Sequence, residues 1–172
     1  MMDRRTRSGL TLPIGVIFLL LTTPLGAQNR TSPFVEGGPD LEWNSPPFSV
    51  DGIGGEFGIG VLLPARWSLG FNAEWMKNNF NEAAWSWYSV RGGRTQPLTA
   101  RVGLAAAAAV GRFSFQEHGL HSSAPGVAFE FGVPVEVSSG VSLAPVWRLA
   151  LAFERDGPGA LTTMGIRVRW HS

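Results

Sequence analysis

Along most of the chain, apolar and polar side chains alternate with a period of two, the period of a strand with one face buried. The longest such stretch covers residues 126–153. Val127, Phe129, Phe131, Val133, Val135 and Val137 share one face, against Ala128, Glu130, Gly132, Pro134 and Glu136 on the other. After Ser138, Ser139 and Gly140 the odd positions resume as Val141, Leu143, Pro145, Trp147, Leu149, Leu151 and Phe153. Their even partners are Ser142, Ala144, Val146, Arg148, Ala150 and Ala152. A three-residue loop ending in a left-handed glycine predicts a hairpin with Val137 opposite Val141. Counting outward from it sets Glu130 opposite Arg148, a favourable cross-strand pair.

Other segments obey the same rule. Ile53, Phe57, Ile59, Val61 and Leu63 oppose Glu56, Gly58 and Gly60, and Trp67, Leu69, Phe71, Ala73 and Trp75 oppose Ser68, Gly70, Asn72 and Glu74. Leu98, Ala100, Val102 and Leu104 oppose Thr99, Arg101, Gly103 and Ala105, and the final run sets Met164, Ile166, Val168 and Trp170 against Gly165, Arg167 and Arg169. A weaker strand fits residues 83–91. The alanines at 105–109 are good helix formers, but the alternating segments on either side and the glycines at both edges predict strand. Short turns are expected at 64–66, 92–96 and 138–140, and longer polar loops at about 77–82, 116–125 and 154–160. Short and long connections alternate, as in an up-and-down meander with all short turns at one end. An eighth strand, within about 33–43, then precedes the first short turn and places both termini at the short-turn end.

The composition of the polar face decides which side is buried. It consists of Gly, Ala, Ser, Glu and Arg, and the whole chain has a single lysine, Lys77. A soluble barrel keeps bulky apolar residues inside and shows long polar ones to water. Small residues with a few long charged ones instead suit a narrow lumen. The expected inward set is Glu56, Glu74, Glu130 and Glu136 with Arg101, Arg148, Arg167 and Arg169. Four acids then meet four bases, as a dry interior requires. Counting from the 64–66 turn sets Glu56 opposite Glu74, a like-charge pair that needs an arginine beside it, unless a bulge shifts the register. The apolar face then meets lipid, with Trp67 and Trp170 near the short-turn end and Trp75, Trp85, Trp87 and Phe153 near the other. Two aromatic girdles at the ends of strands of about ten residues mark a transmembrane barrel.

The first residues change the picture of charge. Arg4, Arg5 and Arg7, the apolar run Leu10–Leu21 and the stretch Thr22–Ala27 read as a secretory signal peptide over residues 1–27, cleaved after Ala27. Its apolar run of about 12 residues is too short to span a bilayer as a helix. Without it, 11 basic residues face 12 acidic ones. No basic surface for nucleic acid is left. The chain has no cysteine, which excludes disulfides, thiolate metal sites and an N-terminal lipidated cysteine. Residues 28–172 form one domain, strand-poor over 28–52.

With the closing run Met164–Trp170, the chain resembles the small eight-stranded outer-membrane β-barrels of the opacity and attachment-protein type. The resemblance covers about residues 33–172, and the run is similar to the closing-strand signal that such barrels present to their assembly machinery. His171 and Ser172 follow Trp170, where family members end on the aromatic. The fold class implied is all-β: a closed eight-stranded antiparallel up-and-down transmembrane barrel, preceded by a cleaved signal peptide. The resemblance implies an outer-membrane location with periplasmic termini. It also implies outer-membrane lipids and lipopolysaccharide, the barrel assembly machinery and periplasmic chaperones as partners.

Eight strands leave a lumen filled by side chains, so a general diffusion pore is not expected. A structural or surface-interaction role follows, without catalysis, cofactor or metal. Two alternatives stay open on the sequence: a barrel enzyme acting on lipid A acyl chains, and a soluble periplasmic lipocalin-like carrier with its faces reversed. The residues for an enzyme are Glu117, His118, His121, Ser122 and Ser123, since a hydrolase needs nucleophile, base and orienting acid in reach. Lipid A deacylases carry His-x-Ser-Asn on a strand facing lipid, whereas this stretch is expected in a loop and lacks the Asn. His118 and His121 have the spacing of many incidental pairs and make a weak metal site.

Overall fold

The computed structural model describes residues 31–44, 49–78, 83–117, 119–154 and 157–172. The expected signal peptide, residues 1–27, lies outside the described residues. The strands are β1 (Ser32–Asn44), β2 (Ser49–Leu63), β3 (Trp67–Asn78), β4 (Ala84–Pro97), β5 (Gly103–Glu117), β6 (Leu120–Gly132), β7 (Val135–Ser138), β8 (Val141–Glu154) and β9 (Gly157–His171). Neighbours pair antiparallel, β9 returns to β1, and β6 pairs with β8. The sheet therefore closes into an eight-stranded antiparallel barrel, in which the four-residue β7 continues β6 beyond a break at Val133 and Pro134. The break follows from proline's missing N–H. At this point the Pro134 carbonyl turns to accept from Gly103 N at 2.9 Å, and Val133 N donates to Pro145 O at 3.1 Å.

Cross-strand partners fix the stagger. The path Ser32, Leu62, Ser68, Gly93, Ala107, Glu130, Arg148, Thr163, Glu42 circles the barrel once and returns to β1 ten residues further on. Eight strands about 4.7 Å apart with that stagger tilt by about 40° and enclose a space that side chains fill. Strands of 12–15 residues at this tilt rise about 30–38 Å, more than the apolar band of about 25 Å on such barrels.

The pleat then separates the faces. Phe57, Ile59, Leu69, Phe71, Val110, Phe129, Trp147 and Ile166 point outward and are exposed, while Glu56, Glu74, Arg91, Glu130, Arg148 and Arg167 are buried inside. In the long hairpin Glu130 pairs with Arg148, and Gly140 takes a φ of +80°. The turn is one residue tighter than the spacing predicts: Ser138 opposes Val141, and a bulge at the intervening Val137 absorbs the difference. The alanine run is strand, because β5 lies between β4 and β6 over its whole length.

Four connections and segments differ from expectation. Residues 92–96 are not a turn: β4 continues to Pro97, and the turn is Leu98–Val102, closed by Leu98 N to Val102 O at 2.8 Å. Residues 116–125 and 154–160 are mostly strand, since β5 ends at Glu117 and β6 starts at Leu120, while β8 ends at Glu154 and β9 starts at Gly157. The outward residues of these extensions, Ser114, Gln116, His121 and Ser123, are polar and exposed. A strand that outruns the apolar band stands in water, so polarity there no longer marks a loop. The segment 28–52 is not strand-poor either, since β1 occupies 13 residues of it. Gly37, Gly38 and Pro39 interrupt its alternation without ending the strand, and at Gly38 a side chain would run into the backbone of Ile166.

Candidate functional site

The interior holds two layers, one ionic and one aromatic. Glu130 on β6 and Arg148 on β8 anchor the first. Arg148 Nε donates to Glu130 Oε1 at 2.9 Å, its Nη2 to Glu56 Oε2 at 2.6 Å, and its Nη1 to Glu74. Glu56 and Glu74 do stand opposite each other on β2 and β3. The Arg148 guanidinium lies between these like charges and holds one carboxylate on each terminal nitrogen. Arg167 on β9 donates from Nη2 to Glu56 Oε2 at 2.7 Å and from Nη1 to Glu130 Oε2 at 3.0 Å. Arg91 on β4 reaches Glu130 Oε2 at 3.2 Å and pairs with Glu36 on β1. Arg169 donates from Nε to Glu36 Oε2 at 2.8 Å, with its guanidinium 4.5 Å from the centre of the Phe34 ring.

Six of the eight residues expected in the lumen therefore meet there: Glu56, Glu74, Glu130, Arg148, Arg167 and Arg169. Arg101 and Glu136 do not. Arg101 sits in the 98–102 turn because β4 runs on past the glycines, and Glu136 lies beyond the Pro134 break, exposed at the rim. Glu36 and Arg91 take their places, so the ion pairs join four carboxylates to four guanidiniums, while Asp40 and Glu42 on β1 are buried as well, without an ion pair among the described residues. Both were findable by parity, Glu36 from the alternation Phe34, Glu36 against Val35 and Arg91 from Ser89 and Arg91 against Tyr88 and Val90. Small residues make the room. Gly58 lies where a side chain would meet Asn72 Oδ1 at 3.0 Å and Glu36 Oε1 at 3.1 Å, and Ala109 stands opposite Arg91.

The second layer fills the end of the barrel away from the chain termini. Trp87 and Phe113 lie with ring centres 4.1 Å apart, Trp85 packs edge-on to Phe113 at 5.8 Å, and Phe115 stacks on Phe113 at 5.6 Å. Met76, Ala124, Ala128, Ala150 and Ala152 complete the cluster, with Leu161 against it. The Trp85 indole N–H donates to Glu42 Oε2 at 3.1 Å, so its polar atom is satisfied inside. Trp85 and Trp87 were expected in the outer girdle and instead face inward, Trp87 at 1 % exposure. Their parity matches that of Arg91, and a lumen section without arginines still has to be filled. Trp67 and Trp170 are exposed on the outer face at the terminal end, and Trp75 and Phe153 at the opposite end.

The hydrolase residues do not converge. His121, Ser122 and Ser123 lie on β6 and are exposed, and Ser123 Oγ accepts from Arg112 Nη2 at 2.7 Å rather than from a histidine. His118 lies outside the described residues. Among the described residues no group of three or more His, Asp or Glu is arranged to hold a metal ion.

No protein-family model matches the sequence, and no curated protein matches it significantly. Solved structures do match the fold. Neisserial surface protein A is matched at a TM-score of 0.62 and 15 % identity, over 84 % of this chain and 98 % of that one. The N-terminal β-barrel domain of Pseudomonas aeruginosa OprF gives 0.59 and 11 %, over 84 % and 100 %. Ail, the attachment invasion locus protein of Yersinia pestis, gives 0.52 and 13 %, over 83 % and 97 %. The chain thus has the fold of the small eight-stranded outer-membrane β-barrels, a likeness of architecture at low identity.

Proposed function

We propose that this chain is an integral outer-membrane barrel with a plugged, charge-paired lumen. Its role is structural or in surface interaction, and it is neither a general pore nor an enzyme. The observation that carries this reading is the inversion of the faces. A continuous outer belt of exposed aliphatic and aromatic side chains surrounds an interior of buried ion pairs capped by aromatic rings. In water such a belt is a large apolar patch with nothing to cover it; in a bilayer it meets acyl chains. Residues 1–27 would export the chain, periplasmic chaperones and the barrel assembly machinery would insert it, and lipopolysaccharide would surround its outer half. The exposed apolar belt also weighs against the soluble carrier, and Ser123 paired to Arg112 weighs against the deacylase.

The purified protein is expected to need detergent for extraction and to migrate faster on gels before boiling than after. Reconstituted in planar bilayers, it is expected to show no porin-like conductance steps. A protein that is released freely with the periplasm, or that conducts in large steps, overturns the reading.

Depth-dependent substitution tests the outward face itself. Phe71 is 68 % exposed in the middle of β3. Phe71→Arg is expected to destabilise the barrel in lipid vesicles by about 2–4 kcal/mol, and Ser114→Arg, on the outer face of β5 beyond the belt, by about 1 kcal/mol or less. Urea unfolding in vesicles reads both. A water-exposed Phe71 would instead tolerate arginine without loss.

A further inference from the structure

We propose that the end of the barrel bearing the chain termini is a binding site for a small polyvalent anion of the phosphate class, either inorganic phosphate or the phosphomonoester of a small hydroxylated molecule. Above the ionic layer the lumen is closed by aromatic rings, but below it a cavity of about 370 Å³ opens to this end. That volume lies at the lower edge of the range for small-molecule sites. Its wall carries Arg66 from the β2–β3 turn, Arg101 from the β4–β5 turn, and Arg169 and His171 from β9, against one carboxylate, Glu136.

Three features point to a ligand rather than to a solvated rim. First, the cations are unspent. Arg66 and Arg101 have no acidic partner among the described residues, and Glu36 occupies only the Nε and Nη2 edge of Arg169, leaving Nη1 for a guest. Second, Arg66 is held at the mouth by strained backbone. Ala65 and Arg66 both adopt left-handed φ values, +63° and +61°, at positions where a tight turn ordinarily uses glycine or asparagine. Residues held in this conformation carry backbone strain and gather at binding sites. Third, the donors converge from three separate elements, and the hydroxyls of Thr95, Thr99 and Ser142 also line the wall. Guanidiniums on several sides suit a tetrahedral dianion better than a planar carboxylate, which one guanidinium satisfies edge-on. His171 fits the same picture. The chain runs one residue past Trp170 before its last serine, and the His171 amide, bound to Gly140 O at 2.8 Å, fixes that histidine at the cavity wall 3.8 Å from Glu136.

The cavity is a closed-ended cup, so binding rather than passage is its function. If the barrel sits as proposed above, the cup faces the periplasm, but its affinity for anions does not depend on the membrane. Isothermal titration of the full chain, folded in a phosphate-free non-ionic detergent, tests it with phosphate, glycerol 3-phosphate and citrate. Saturable binding of phosphate and glycerol 3-phosphate is expected, with citrate weaker. Arg66→Gln with Arg101→Gln, both on exposed turns, is expected to weaken binding about tenfold or more. Glu136→Gln is expected to tighten it severalfold, a gain that misfolding cannot produce. Absence of saturable binding at about 10 mM, equal or tighter binding of citrate, or affinities untouched by these substitutions would overturn the proposal.

Discussion

Replacing Glu130 with glutamine is expected to destabilise the folded barrel by about 3–5 kcal/mol, the range for breaking a buried ion pair from one side. Glu130 is the hub of the ionic layer. One carboxylate meets Arg148 at 2.9 Å, Arg167 at 3.0 Å and Arg91 at 3.2 Å, with almost no exposure to solvent. Glutamine keeps the shape and removes the charge, so four guanidiniums, Arg91, Arg148, Arg167 and Arg169, are left against the three other paired carboxylates in a medium that screens poorly. Urea unfolding in detergent micelles or vesicles, followed by tryptophan fluorescence, measures the loss. A change within about 0.5 kcal/mol would mean that water penetrates the lumen and screens the pairs.

A second variant tells charge balance from lost contact. Glu130→Met with Arg167→Met removes one ion of each sign and leaves three of each in the paired set, with Glu56 and Glu74 still on Arg148 and Glu36 on Arg91 and Arg169. It is expected to be more stable than Glu130→Met alone, although it removes more hydrogen bonds, because an uncompensated buried charge costs more than a missing pair. The ionic layer therefore serves to make the arginines tolerable in the interior, and its net contribution over an apolar filling need not be large.

Much of this layer was legible because its register rests on two short turns. Ser139–Gly140 and Pro64–Arg66 each fix a hairpin, and the rule that paired residues share a face then brings Glu130 to Arg148 and Glu56 to Glu74. That Arg148 would reach across the lumen to both β2 and β3 was not legible, since pairing patterns carry no information about contacts between strands that are not neighbours. Arg101 was misplaced for a different reason. Gly92 and Gly93 look like a turn, yet here they give β4 a small-residue stretch beside the alanines of β5, and the true turn lies at Leu98–Val102. The expected long loops at 116–125 and 154–160 failed on a physical premise, whereas the one at about 77–82 lies mostly outside the described residues. Polarity marks the end of a strand only while the strand is inside the apolar band, and β5 and β6 extend beyond it with Ser114, Gln116, His121 and Ser123 outward. With connections of five residues or fewer between the strands, the surface at that end is in large part strand extension.

Trp87→Ala is expected to cost about 3–5 kcal/mol, as for large aromatic side chains removed from close-packed cores. Its position was the least legible of all, because a tryptophan near a strand end suits both a lipid girdle and a lumen plug. Parity decides between them. Trp85 and Trp87 share the face of Ser89 and Arg91, and on β5 Phe113 and Phe115 share the face of Ala107 and Ala109. Inward rings from β4 and β5 then meet one another, Trp87 over Phe113 at 4.1 Å, with alanines on β6 and β8 opposite to admit them. Truncation to alanine leaves a void that these small neighbours cannot collapse to fill. Trp75→Ala supplies the contrast. Trp75 is 54 % exposed on the outer face, where lipid closes over the vacated space, and its loss is expected to be far smaller. Combined with Phe113→Ala, Trp87→Ala is expected to be non-additive by about 0.5–3 kcal/mol, since each ring packs against the other. Equal costs for Trp75→Ala and Trp87→Ala in the same vesicles would show that Trp87 faces lipid, and with it the parity assignment of β4, including Arg91 in the ionic layer, would fail.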